Sequence, residues 1–439
     1  MKWGILLALV IPIHTVLSDP LVVRVSGEVT QSRYALTAFT VAGILLSIFL
    51  VARWEKLSPR VTSTILMVLV PAFPLAIARA GWSIHANLVD PLSIDKPVVP
   101  ALPVNPESPR ILWVVFDEWD NELAFRSRPP DLRLPELDRF RQQALDAGNA
   151  YPPGRHTIIS APSLITGKTF TESTRKGASE IMESYDPAKP PSPLSEQPTI
   201  FGDVRREGYN LGIVAWYLPY SRMFGVFTRY PGAGSVRPVP TVPGLMVATA
   251  RHQFSLFPLM RALGIARTPD SEPQTHTDGY SYQLSETLRT LRDSSLNFVF
   301  LHLGIPHPPF IYDHKKQEFS IGPGASYEGN LALVDRTVGD IRRTLEQEGR
   351  WDNTTILLTS DHPLRVGAKR ITPLVLPAYV HQSETVPFFL KLAGQKQGLE
   401  YTRPIQTVVT KDLLLDILHR KVTTPEQAAA WLDTHPPRQ

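Results

Sequence analysis

Four short stretches carry the residue types most able to do chemistry. Residues 155–167, RHTIISAPSLITG, offer the Thr157 hydroxyl just ahead of an expected helix start. Ser160 suits the N-cap and Pro162 the first turn, where a missing N–H costs nothing. A nucleophilic oxygen there faces unpaired N–H groups and the positive end of the helix dipole, which favour an attached phosphate or sulfate. On its own, a Thr or Ser before a helix is far more often a simple cap. The other three stretches follow apolar runs: Asp117-Glu118, the loop from His302 to His307, and Asp361-His362. Singly they read as a strand-end acid, a packed core histidine and a turn.

The apolar runs are the elements that must position these groups. RILWVVFD (110–117), NLGIVAW (210–216), NFVFLHL (297–303), TTILLT (354–359) and VPFFLKL (386–392) read as strands. Helices are expected over 199–209, 280–293 and 412–419. A long amphipathic helix is expected over 327–347, with Leu331, Val334, Val338, Ile341 and Leu345 at helical spacing. Thr424 and Gln427 have the form of a capping box opening a last helix. Segments 185–198 and 225–244 are Pro- and Gly-rich and read as a loop and an irregular excursion. Strands alternating with helices imply an α/β domain with a central, mostly parallel sheet. In such sheets functional groups gather beyond the carboxyl ends of the strands, where all three acid and histidine stretches fall.

The chain has 439 residues, a formal net charge of +4, 42 prolines and no cysteine. Thiolate metal sites, cysteine nucleophiles and disulfides are thereby excluded, and no basic block or aromatic–basic interleaving points to nucleic acid. Apolar residues crowd the N-terminal part. Segments 3–18, 34–52 and 61–77 read as about three membrane helices, the first also passing for a cleaved signal. Arg53, Lys56 and Arg60 in the second connecting loop place that loop in the cytoplasm by the positive-inside rule. The expected layout is a membrane anchor over 1–85, a Pro-rich linker over 86–109 and a catalytic domain over 110–439. That domain would stand on the extracytoplasmic side of the cytoplasmic (inner) membrane.

Taken together, RILWVVFDEWD, HTIISAPSLITG, TIFGDVRREGYNLGIVAW, HLGIPHPPF, LVDRTVGDIRRTL, NTTILLTSDH and VPFFLKL resemble the sulfatase family of the alkaline phosphatase superfamily in order and spacing. The resemblance implies a sulfatase-like α/β fold and a metal-dependent enzyme acting on phosphate or sulfate esters. Formylglycine sulfatases carry a Cys or Ser where Thr157 stands and an Arg where Ala161 stands. Thr cannot be matured to formylglycine, so the pattern looks more like the membrane-anchored phosphoethanolamine transferases and lipoteichoic acid synthases, which use Thr directly.

On that resemblance, Asp117, Thr157, Asp361 and His362 would hold one divalent metal ion, Zn or Mn, with Ca or Mg as the alternatives. The four-residue-spaced Asp…His pair expected for a second zinc is absent. Thr157 would be the nucleophile, and His307 would bind the phosphoryl group or protonate the leaving oxygen. His381 and Arg155 would contact substrate. Glu118 reads as an outer partner of the metal ligands or a solvent-facing acid, and His302 as packed within its strand. Pro363 stands where the family has Gly, and the cations beyond it are Arg365, Lys369 and Arg370. The leading expectation is transfer of a phospho-substituent, phosphoethanolamine- or phosphoglycerol-like, from a membrane lipid donor to an envelope glycan or lipid acceptor. Its alternatives are a sulfate or phosphate ester hydrolase acting on surface polysaccharide, and a catalytically dead glycan-binding relative.

Overall fold

Seven consecutive buried residues make β1 (Arg110–Asp117) the spine of the central sheet. Alternate side chains point to opposite faces of a strand, so the six apolar residues from Ile111 to Phe116 must be covered on both. A computed structural model describes residues 99–105, 107–176, 180–186, 188–231, 272–322, 324–366 and 383–435. They belong to one unit, Ile94–Arg237 together with Asp270–Gln439. The apolar segments 3–18, 34–52 and 61–77 lie outside the described residues. Among those that are described, no helix is long and apolar enough to cross a membrane.

The sheet has eight strands. After β1 come β2 (Leu145–Ala147), β3 (Leu211–Ala215), β4 (Thr228–Pro231) and β5 (Phe298–Pro306). They are followed by β6 (Thr354–Ser360), β7 (Phe388–Lys391) and β8 (Leu399–Tyr401). Their order across the sheet is β8-β2-β7-β6-β1-β5-β3-β4. From β6 to β4 all neighbours are parallel, and β7 is antiparallel to both of its neighbours. The mostly parallel sheet expected from the sequence is therefore what forms. Segment 225–244 departs from its reading, because its described part contains β4, a short parallel edge strand that tolerates proline.

Helices cover both faces. On one, Ile111, Trp113 and Val115 pack with Leu164 and Ile165 of α2 (Thr157–Thr166) and with Phe201 of α3 (Ile200–Arg206). On the other, Leu112, Val114 and Phe116 pack with Leu137, Leu291 and Leu331. These belong to α1 (Pro135–Arg141), α5 (Glu272–Arg292) and α6 (Tyr327–Gln347), with the short α4 (Tyr220–Phe224) lying between β3 and β4. The carboxyl-terminal helices α7 (Thr410–Leu418) and α8 (Pro425–Asp433) close the first face, and α8 opens with the capping box of Thr424 and Gln427. Each fully buried large side chain, such as Trp113 or Phe116, contributes about 2–3 kcal/mol from burial.

Helix α6 also reaches the site edge through its first turn. Tyr327 Oη donates to Glu118 O at 2.6 Å and accepts from Asp120 N at 3.0 Å. Asn330 accepts from Ile311 N at 2.9 Å and donates to Pro306 O at 3.2 Å.

Candidate active site

Thr157 is the first residue of α2, not a residue ahead of it. The N-cap is His156, with extended backbone and no side-chain capping bond. Ser160, read as the cap, lies inside the helix, fully buried, and its hydroxyl has no partner among the described residues. Pro162 consequently falls in the second turn, where its missing N–H leaves the Ile158 carbonyl without an i+4 donor. Capping preference failed here because the chain before the helix folds over its first turn: a Cβ on Gly154 would lie 2.9 Å from Ile159 Cγ2. The shift puts the Thr157 hydroxyl at the helix mouth, where the first N–H groups have no intrahelical acceptor.

Around that hydroxyl the strand ends converge. Thr157 Oγ1 lies 3.2 Å from His362 Nε2 and 3.4 Å from each Asp117 carboxylate oxygen. His362 Nε2 is 3.6 Å from Asp117 Oδ1 and 3.6 Å from Asp361 Oδ2. Asp117, Asp361 and His362 are all fully buried. One oxygen of Asp361 is anchored, accepting from His362 N at 2.9 Å and Glu118 N at 3.3 Å. The other has no partner among the described residues. His362 Nδ1 lies 2.9 Å from Pro363 O, so Nδ1 carries the proton and Nε2 presents a lone pair. Burial, then the Asp361 and Glu118 carboxylates, push Asp117 well above the usual carboxylate range. A divalent cation would reverse that shift.

His302 corrects the sequence reading. It does lie in β5, but its imidazole belongs to the cluster: Asp117, His302 and Asp361 bring ligand atoms within 4.8 Å of one another. Its Nε2 sits 3.9 Å from Asp361 Oδ2 and has no hydrogen-bond partner among the described residues. Its Nδ1 lies 3.0 Å from Tyr220 Oη. Burial lowers its pKa to about 4, which keeps the imidazole neutral and able to ligate. Orphaned, buried acceptor atoms aimed at one point are what a metal site looks like before the ion is added. Strand register held the missed signal. His302 pairs with Val115, two residues before Asp117, and so shares the Asp117 face of the sheet.

The other expected residues spread out. His307 follows Pro306, the register partner of Asp117, and packs edge-on against Trp216 at 5.2 Å. Gly304 makes room for that indole, since a Cβ there would fall 2.7 Å from Trp216 Cδ2. Arg155 is exposed beside His156. His381, Lys369 and Arg370 lie outside the described residues. Glu118 is buried, not solvent-facing, in a left-handed conformation (φ 62°), and Arg365 Nε donates to its Oε1 at 2.5 Å. Burial, then Arg365 and His362, lower the pKa of His156.

The family profile described as Sulfatase matches residues 109–419. The ulvan-active sulfatase of Formosa agariphila is 20% identical over 354 residues, 72% of this chain and 63% of that protein. The multifunctional alkaline phosphatase superfamily protein PehA of Trinickia caryophylli is 32% identical over 73 residues, 17% of this chain and 14% of that protein. The chain thus spans less than two thirds of either curated relative. Among solved structures, Ps i-CgsB in complex with k-i-k-neocarrahexaose matches with a TM-score of 0.52 at 16% identity, covering 76% of this chain and 78% of that one. That likeness is one of fold. Enzymes of the matched family are metal-dependent, and the buried Asp117, His302 and Asp361 could hold such an ion. With the profile covering the whole sheet and every strand end that bears the cluster, the chain belongs to the sulfatase family of the alkaline phosphatase superfamily.

Proposed function

We propose that the protein is a metal-dependent enzyme that cleaves a phosphate-type ester through attack by Thr157. The observation that carries this is the placement of the Thr157 hydroxyl at the mouth of α2, 3.2 Å from His362 Nε2 and 3.4 Å from Asp117. Asp117, His302, Asp361 and His362 would hold the cation; two imidazoles with two carboxylates suit Zn or Mn better than Ca or Mg. When bound, the cation lowers the pKa of the Thr157 hydroxyl and draws charge from the transferring group.

Thr157 Oγ1, having given up its proton to water, would form a bond to phosphorus as the bond to the leaving oxygen breaks. In this reading His307 would give that oxygen a proton, and the first N–H groups of α2 would steady the charge on the non-bridging oxygens. An acceptor hydroxyl, from water or an alcohol, next attacks the phosphorus and releases Thr157 with its proton. A sulfate ester suits this route less well. Formylglycine expels sulfate by breaking a C–O bond, and a Thr side chain offers no such exit.

Water as acceptor makes the protein a hydrolase, which is the activity named for its curated sulfatase relative. An alcohol on an envelope glycan or lipid makes it a transferase fed by a membrane lipid. That second reading is favoured by the apolar segments 3–18, 34–52 and 61–77, which would hold the domain at the outer face of the cytoplasmic membrane. The test is turnover of bis(p-nitrophenyl) phosphate by the metal-loaded full-length protein, with mass spectrometry of the Thr157 peptide. Thr157→Ala should abolish turnover, and the wild-type peptide should carry a phosphoryl-type adduct. Full activity in Thr157→Ala would overturn the assignment.

A further inference from the structure

Three side chains from distant parts of the chain form a line beside the nucleophile. The Glu118 carboxylate, wholly buried, accepts from Arg365 Nε at 2.5 Å. Arg365 Nη1 lies 2.8 Å from His156 Nδ1. A guanidinium has donors only, so Nη1 must donate and the imidazole Nδ1 must accept. The imidazole proton is therefore on Nε2. His156 is exposed, adjoins Thr157, and as N-cap makes no side-chain bond to its own helix. The buried carboxylate reaches across 247 positions of sequence to Arg365, and removing a partner of a buried charge is costly. Sequence position alone hides this, because His156 and Arg365 are separated by 209 positions.

We propose that Glu118, Arg365 and His156 act as one hydrogen-bonded chain that presents His156 Nε2–H to a non-bridging oxygen of the ester while Thr157 attacks. The inference rests on the reading of Thr157 as nucleophile. His156 keeps its proton throughout and serves as a donor to developing charge. Arg365 and Glu118 are positioning residues: they fix the tautomer and the ring plane. This chain supplies a donor where the stretch after His362 departs from the family pattern.

A double-mutant cycle on the full-length, Zn-loaded protein tests it, read by kcat/KM for bis(p-nitrophenyl) phosphate and by the Kd of orthovanadate. His156→Ala should lower kcat/KM by about 100-fold, mostly in kcat, as loss of one oxyanion donor does. His156→Gln, which keeps a donor, should recover part of that loss. Arg365→Lys keeps the charge of the buried pair but not the fork, and should cost about tenfold. In the double variant Arg365→Lys with His156→Ala the loss should equal that of His156→Ala alone, because Arg365 acts through the imidazole. Losses that multiply would overturn the proposal, as would a His156→Ala enzyme of wild-type activity. Should the wild type turn over no ester, the parent reading falls and vanadate alone judges the chain. The same non-additive pattern in Kd upholds it; additive or absent effects, or no vanadate binding, overturn it.

Discussion

Replacing Tyr220 by Phe isolates the hydrogen bond behind His302. Both groups are buried, and the Tyr220 hydroxyl lies 3.0 Å from His302 Nδ1. To ligate through Nε2, His302 must carry its proton on Nδ1, and Tyr220 is then the acceptor. With Phe at 220, the metal-bound form has a buried N–H without a partner, which costs about 1–3 kcal/mol. The metal-free form escapes the cost by moving the proton to Nε2, toward Asp361 Oδ2 at 3.9 Å. The whole penalty therefore falls on metal binding, as a loss of about 5- to 150-fold in affinity. Competition against a zinc chelator measures it, with melting of the metal-free protein as the control for folding. An affinity within twofold of wild type, with folding intact, would refute the place of His302 in the metal site.

Other outcomes follow from packing and charge. Burial raises Asp335 to about 7 although backbone N–H groups of α1 oppose the shift. Its proton is held in the native state and released by the unfolded chain near 3.8, so its stabilising share is complete below that value and lost as pH rises through 7. Asp335→Asn should flatten stability between pH 5 and 8 and gain up to about 4 kcal/mol at pH 8, read by denaturant melts; an unchanged pH profile counts against it. Gly304→Ala places a Cβ 2.7 Å from Trp216 Cδ2, so melting should drop by about 1–3 kcal/mol and turnover should fall as His307 is displaced. A stable, active variant would show that the indole has room to move. Chelation should lower the melting temperature more at pH 8 than at pH 5.5, since burial, then the Asp361 and Glu118 carboxylates, oppose ionisation of Asp117, and rising pH strips the proton they hold there. Equal losses at both values would mean that these carboxylates do not carry the ion.

The fold was legible wherever hydrophobic pattern alone decides structure. The spans 110–117 and 327–347 come out as strand and helix over those bounds because burial on one or both faces leaves no alternative. Thr157, Asp117, Asp361 and His362, which the fold brings together, were singled out because the residues next to each carry the family pattern. Ser160 was misread, since its capping chemistry is sound locally and is overridden by the fold of residues 154–156. His302 and Tyr220 were missed for a different reason. Their roles depend on which strands and helices become neighbours, and a β5 placed between β1 and β3 is a fact of topology with no local trace. The pairing of Glu118 with Arg365 is of the same kind.

The first turn of α6 ties down two active-site loops at once. Tyr327 grips the chain just after Asp117, and one turn along Asn330 grips the chain on either side of His307. The expected metal ligand Asp117 and the expected acid His307 are thus bolted to a single bracket, and their separation is a property of that helix end. On the proposed function, adaptation to a bulkier or slimmer ester would come from the Thr157 helix and from residues 363–366. There a change in sequence can reshape the opening without disturbing the spacing on which the chemistry depends.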